Sequence, residues 1–132
     1  MSQHLDSKQS ASLKATLNRL SGTLQAAVRK HLLKSDDERA RLLADRVGDL
    51  ADESVNDLII DLDLAEVDRD LEELRDVQAA LERMQQRTYG VCIACGSAIP
   101  FDRLVAYPTA KRCVRCQRVH ENTYAEKSTP RL

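Results

Sequence analysis

The chain has four cysteines, arranged in two pairs, Cys92-Ile93-Ala94-Cys95 and Cys113-Val114-Arg115-Cys116, with seventeen residues between the pairs. A CxxC turn bends sharply enough to aim two thiolates at one point, and two such turns at this separation match a tetrahedral zinc site. Sulfur in all four positions leaves no coordination position for substrate or activated water. The expected cofactor is therefore one structural Zn²⁺ held by Cys92, Cys95, Cys113 and Cys116. A redox CxxC fits less well, since the second pair is superfluous and no thioredoxin-like βαβ pattern surrounds it. Two disulfides would need an oxidising compartment. Metal binding would also supply folding energy that a short, nearly aromatic-free loop lacks.

Other polar groups are less specific. Asp49 and Asp52 stand three apart just before a helical stretch, where paired carboxylates suit a metal ion or a basic partner surface, or simply favour the helix dipole. Lys111, Arg112, Arg115 and Arg118 form a basic patch beside Glu121 and Glu126. Without interleaved aromatics it reads as a partner-facing or solvated surface rather than a nucleic-acid ribbon. His4, His31 and His120 show no ligand spacing. No nucleophile, general-base pair or Gly-rich phosphate loop stands out, so an enzyme is not expected.

The elements that must position these groups are helical. Of 132 residues, 31% are charged and only 3% aromatic, with Phe101 the sole Phe and no Trp, which suits long helices meeting along a narrow seam better than a sizeable globular core. The formal charge of -1 gives no generic attraction to DNA. No apolar run approaches the roughly 18 residues of a membrane span and the start is polar, so a cytoplasmic protein without membrane contact is expected.

Residues 1–10 read as a flexible start. Leu13, Leu17, Leu20, Leu24, Ala27/Val28 and His31/Leu32 step by four and three, and Leu42, Leu43 and Val47 resume the stripe. This predicts one helix from about 11 to 46, with a bend near Ser35, where Ser35 and Glu38 have capping-box spacing, in preference to two shorter helices. Gly48 opens a connector ending near Ser54. A second seam of Ile60, Leu64, Val67, Leu71, Leu74, Val77/Gln78, Leu81 and Met84/Gln85 then continues to a stop at Tyr89-Gly90, with Gly90 in a left-handed cap. Two long helices joined by a short link lie antiparallel, and at about 1.5 Å per residue they project roughly 50 Å. The expected architecture is mainly α: a coiled-coil hairpin over 11–88 with its tip near 48–54, on a small globular base over 89–125. Two short strands are expected between Gly96 and Ala110, a closing helix over Val114 to Tyr124, and a flexible tail over 126–132.

From Tyr89-Gly90-Val91-Cys92-Ile93-Ala94-Cys95-Gly96 through Ile99, Arg103-Leu104-Val105-Ala106, Pro108-Thr109-Ala110 and Cys113-Val114-Arg115-Cys116-Gln117, the chain closely resembles the zinc finger of the DksA/TraR family. The resemblance implies a long antiparallel hairpin on a base made of the four-cysteine finger and a C-terminal helix. It also implies a monomer that binds bacterial RNA polymerase rather than specific DNA sequences, by entering the secondary channel. The family's tip motif DxxDxA falls, on an ungapped alignment from Cys92, on Asp49-Leu50-Ala51-Asp52-Glu53-Ser54, with Ser54 replacing the alanine. Arg69 matches a basic position used to engage polymerase. Positions that help better-known members bind guanosine tetraphosphate fall on Glu73, Asp76, Tyr107 and Gln117, so dependence on that nucleotide is not expected. The expected function is regulation of transcription initiation through the acidic tip. Alternatives are a transcript-cleavage or anti-backtracking cofactor in the same channel, and a zinc-stapled interaction protein with another partner.

Overall fold

The computed structural model describes residues 4–49 and 56–128. Its helices are α1 (Ser7–Leu33), α2 (Glu38–Leu43), a 3-10 segment (Ala44–Asp49), α3 (Asn56–Asp61), α4 (Ala65–Gln85), α5 (Phe101–Ala106) and α6 (Val114–Ser128). Helix α1 begins well before residue 11 because Asp6 caps it. The Asp6 carboxylate accepts from the Gln9 backbone N–H at 2.7 Å, while the Gln9 side chain accepts from the Asp6 N–H at 3.1 Å. The first ten residues are thus not uniformly a flexible start: from His4 the chain is built onto the base, and Leu5 is buried.

The core is a seam between α1 and α4. Leu13, Leu17, Leu24, Val28 and Leu32 close against Val67, Leu71, Leu74, Val77 and Ala80, all buried. The two helices run antiparallel, for the start of α1 borders the end of α4 in one groove and His31 near the end of α1 meets Glu66 in the first turn of α4 at 3.1 Å. Burial of these aliphatic side chains, each contributing roughly 1.5–3 kcal/mol, is the main term holding the hairpin closed.

Several features differ from the sequence expectation. The first long helix is broken: α1 stops at Leu33, and Asp37, not Ser35, caps α2 by accepting from the Arg39 N–H at 2.9 Å. Ser35 instead accepts from the Asp37 N–H at 3.1 Å, which shapes the turn. Helix α2 and the 3-10 segment then fold back along α1, where the Arg29 guanidinium donates to the Ala44 carbonyl at 3.2 Å and Ala40, Leu43 and Val47 are buried. The 27 residues of α1 reach about 40 Å, short of the 50 Å expected.

The second long helix is broken too. Asp63 adopts φ 54°, and the Leu64 N–H bonds back to Ile59 and that of Asp63 to Ile60, which terminates α3 in a Schellman motif. This break rotates the apolar register, so that Ile59 is buried while Ile60 is 68% exposed. Helix α4 ends the same way, with Arg87 at φ 63° and bonds from Thr88 to Arg83 and from Arg87 to Met84. The left-handed cap is therefore Arg87, and the positive φ of Gly90 belongs to the finger. Between Gly96 and Ala110 there are no two strands but one isolated bridge, Val91 to Ala98, followed by α5. The closing helix α6 runs from Val114 to Ser128, beyond its expected end at Tyr124 and into the segment expected to be flexible.

Candidate metal centre and exposed surfaces

The first cysteine pair sits on a tight hairpin. The Cys92 N–H donates to Ser97 at 2.8 Å, the Gly96 N–H returns to Cys92 at 3.0 Å, and Gly96 adopts φ 77°. Glycine is the residue that takes this conformation without a Cβ penalty. The hairpin is tied below by the Ile99 N–H to Gly90 at 2.7 Å and above by the Ile93 N–H to Lys111 at 2.9 Å. That second bond brings the segment before Cys113 alongside. Cys113 immediately precedes α6 and Cys116 lies in its first turn, with the Gln117 N–H closing on Cys113 at 2.8 Å.

All four sulfurs converge, each within 4.8 Å of the others, and Cys95 Sγ lies 3.8 Å from Cys113 Sγ. Zinc at about 2.3 Å from each of four sulfurs makes a tetrahedron of edge about 3.8 Å, so the cluster is close to the size the ion requires. The acidities of the thiols point the same way. The Ser97 hydroxyl, then the Ser97 backbone, brings the Cys95 thiol down to about 6. Cys116 is pushed up to about 12, first by its contact with Cys113 and then by Cys95. One sulfur ionises readily and another resists, as expected where four negative charges share one small volume and only a cation can compensate them. The centre is a four-cysteine site for one structural zinc ion.

The base is tied to the hairpin through groups that the sequence reading passed over. Tyr89 is buried and its hydroxyl donates to the Pro108 carbonyl at 2.7 Å; burial pushes its phenol up to about 12. The His4 Nε2–H donates to the Ile99 carbonyl at 2.7 Å, so the first described residue clasps the finger. Gly90 lies under this clasp, where an added Cβ would stand 3.0 Å from the His4 ring and 3.3 Å from Leu5. The Arg103 guanidinium lies 5.7 Å from the centre of the Tyr107 ring, and its Nε–H donates to the Arg112 carbonyl at 3.4 Å. Ile93, Tyr107, Val114 and Val119 are each about half exposed or more on this module.

Of the remaining expected site residues, those that are described lie on separate elements. Asp49 ends the 3-10 segment, and Asp52 and Ser54 lie outside the described residues. Arg69 is exposed on α4, sixteen residues or about 24 Å before that helix ends at Gln85. Glu73 and Asp76 are exposed on α4, and Gln117 donates to Glu121 at 3.0 Å. Among the described residues no helix is long and apolar enough to cross a membrane.

Comparison with known proteins gives a consistent picture. Residues 87–122 match the prokaryotic dksA/traR C4-type zinc finger. General stress protein 16O of Bacillus subtilis is 43% identical over 63 residues, covering 48% of this chain and 37% of that protein. RNA polymerase-binding transcription factor DksA of Haemophilus influenzae is 32% identical over 73 residues, 55% of this chain and 50% of that protein. These matches span at most half the length of either curated relative. The solved structure of transcription factor DksA2 from Pseudomonas aeruginosa superposes with a TM-score of 0.63 at 26% identity, over 90% of this chain and 88% of that one.

Proposed function

From the chain's membership of the DksA/TraR family, we propose that it is a non-enzymatic, cytoplasmic regulator of transcription that binds bacterial RNA polymerase. The observation carrying this reading is the likeness to a DksA over nearly the whole chain, hairpin as well as finger. A shared zinc module alone would say little about a partner, because one fold hosts many functions. In this reading the hairpin enters the secondary channel, Arg69 engages polymerase on the way, and Asp49 and Asp52, with Ser54 beside them, supply the acidic contact that alters initiation. The base stays at the channel rim, where Ile93, Tyr107 and Val119 offer the mixed aromatic and aliphatic surface that protein contacts use. The protein acts as a monomer, and acidic residues at Glu73 and Asp76 leave it without need of guanosine tetraphosphate.

Asp49→Asn combined with Asp52→Asn removes two charges and leaves the described helices intact. The variant is expected to co-purify with polymerase like the parent and to lose its effect on the lifetime of promoter complexes. Regulation unchanged in the variant would sink the assignment of the aspartates. Failure of the parent chain to co-purify with polymerase would sink the reading as a whole.

A further inference from the structure

Charge along this nearly neutral chain is segregated. From Ser7 to Lys34 there are six Lys or Arg and no carboxylate, residues 35–85 carry seventeen carboxylates against six cations, and residues 86–132 carry eight cations against three carboxylates. Helix α1 is the acid-free element, and its cations are not scattered around it. At about 100° per residue, Lys8, Ser12, Ala15, Arg19, Ala26 and Lys30 fall opposite the buried stripe of Leu13, Leu17, Leu24, Val28 and Leu32, and all six are exposed. Lys8, Arg19 and Lys30 recur every three turns, a spacing of about 16 Å along one line. Among the described residues none of these three cations forms an ion pair, whereas His31 meets Glu66 and Arg39 meets Asp37. Arg19 donates to the Thr16 hydroxyl, at 3.5 Å.

The chemistry of this face separates two kinds of partner. Protein hot spots are built on Trp, Tyr, Arg and packed apolar groups, and the face has no aromatic and no large aliphatic side chain. Phosphate contacts come from Lys, Arg, Ser and Thr, which together with alanine make up the stripe, and small residues between the cations allow a backbone to approach closely. The finger has the opposite character, with Ile93, Tyr107, Val114 and Val119 exposed among its cations.

We infer that the outer face of α1 is a sequence-independent contact for the sugar-phosphate backbone of nucleic acid, made by Lys8, Arg19 and Lys30. The overall charge of -1 does not prevent this. Screening confines attraction to about 8 Å at physiological salt, and the exposed carboxylates of α4 (Glu72, Glu73, Asp76) stand on the far side of the seam, where they orient the basic face toward a polyanion.

Binding of fluorescein-labelled duplex DNA of mixed sequence to the zinc-loaded full chain, followed by anisotropy across a salt series, tests the inference independently of polymerase. Expected is weak binding, indifferent to scrambling of the sequence, with a log–log salt slope of about −3 for three neutralised phosphates. Lys8→Gln with Arg19→Gln and Lys30→Gln should keep the circular dichroism of the parent and bring the slope close to zero. Lys111→Gln with Arg112→Gln and Arg115→Gln should leave the slope unchanged. The inference is overturned by absence of salt-dependent binding in the parent chain, or by loss of binding in the finger variant instead of the α1 variant. It is equally overturned if the α1 variant keeps DNA binding and loses capture of polymerase, since the face would then be a protein contact.

Discussion

At the scale of single residues, Tyr89 at the end of the hairpin is tied directly into the finger. Its hydroxyl bonds to Pro108 in a buried setting, and burial raises the phenol from its ordinary 10 to about 12. Tyr89→Phe should cost about 1 kcal/mol, the usual net value of such a bond, measured by chemical unfolding at neutral pH. The sign of the pH dependence follows from linkage: the folded phenol keeps its proton when the unfolded one has lost it, so stability present below pH 10 declines between pH 10 and 12. The Phe variant should lose that component of the alkaline decline, and an identical decline in both proteins would show that Tyr89 does not cause it. The cysteines were legible because their spacing alone encodes tetrahedral geometry. Tyr89 was not, since nothing in Thr88-Tyr89-Gly90 says that the hydroxyl will reach a carbonyl nineteen residues on.

At the scale of elements, the apolar period made the α1–α4 seam readable, and the buried set matches it at Leu13, Leu17, Leu24, Val67, Leu71 and Leu74. What the period could not reveal is where helices stop when the stop is not a glycine. Asp63 and Arg87 both take left-handed conformations that ordinarily favour Gly, so α3 and α4 read as one element and the end of α4 was displaced to Gly90. The break at Asp63 decides which of two adjacent isoleucines faces inward, and this is measurable. Ile59→Ala should destabilise the protein by about 2–4 kcal/mol, because it empties a fully enclosed site. Ile60→Ala, at 68% exposure, should stay within about 0.5 kcal/mol of the parent. An uninterrupted helix with Ile60 in the seam would give the reverse order in denaturant midpoints.

At the scale of the whole molecule, zinc and the aliphatic seam stabilise different parts. The sulfur cluster spans 92–116, whereas the seam from Leu13 to Ala80 contains none of the four cysteines. The two are linked through Leu5, Tyr89, Gly90 and Leu104, a small set compared with the length of α1 against α4. Removing zinc with a chelator at neutral pH leaves four thiols with no cation to offset their charge, so the finger should open. Amide hydrogen exchange reads this directly: protection from Cys92 to Gln117 should collapse, while protection along Leu13 to Leu32 and Val67 to Val77 persists. Far-UV circular dichroism should accordingly retain most of its helical signal, because α1 and α4 are the longest helices. If protection vanished everywhere at once, the base would be the foundation of the hairpin and not its anchor. Acidification should mimic the chelator as protons compete with zinc for the thiolates, with Cys95, brought down to about 6 by the Ser97 hydroxyl, holding its charge to lower pH than Cys116. A chain that keeps its hairpin but loses its base would separate the two roles in the proposed function, since in that proposal the Asp49 and Asp52 carboxylates act inside the partner only while the base fixes how the hairpin enters it.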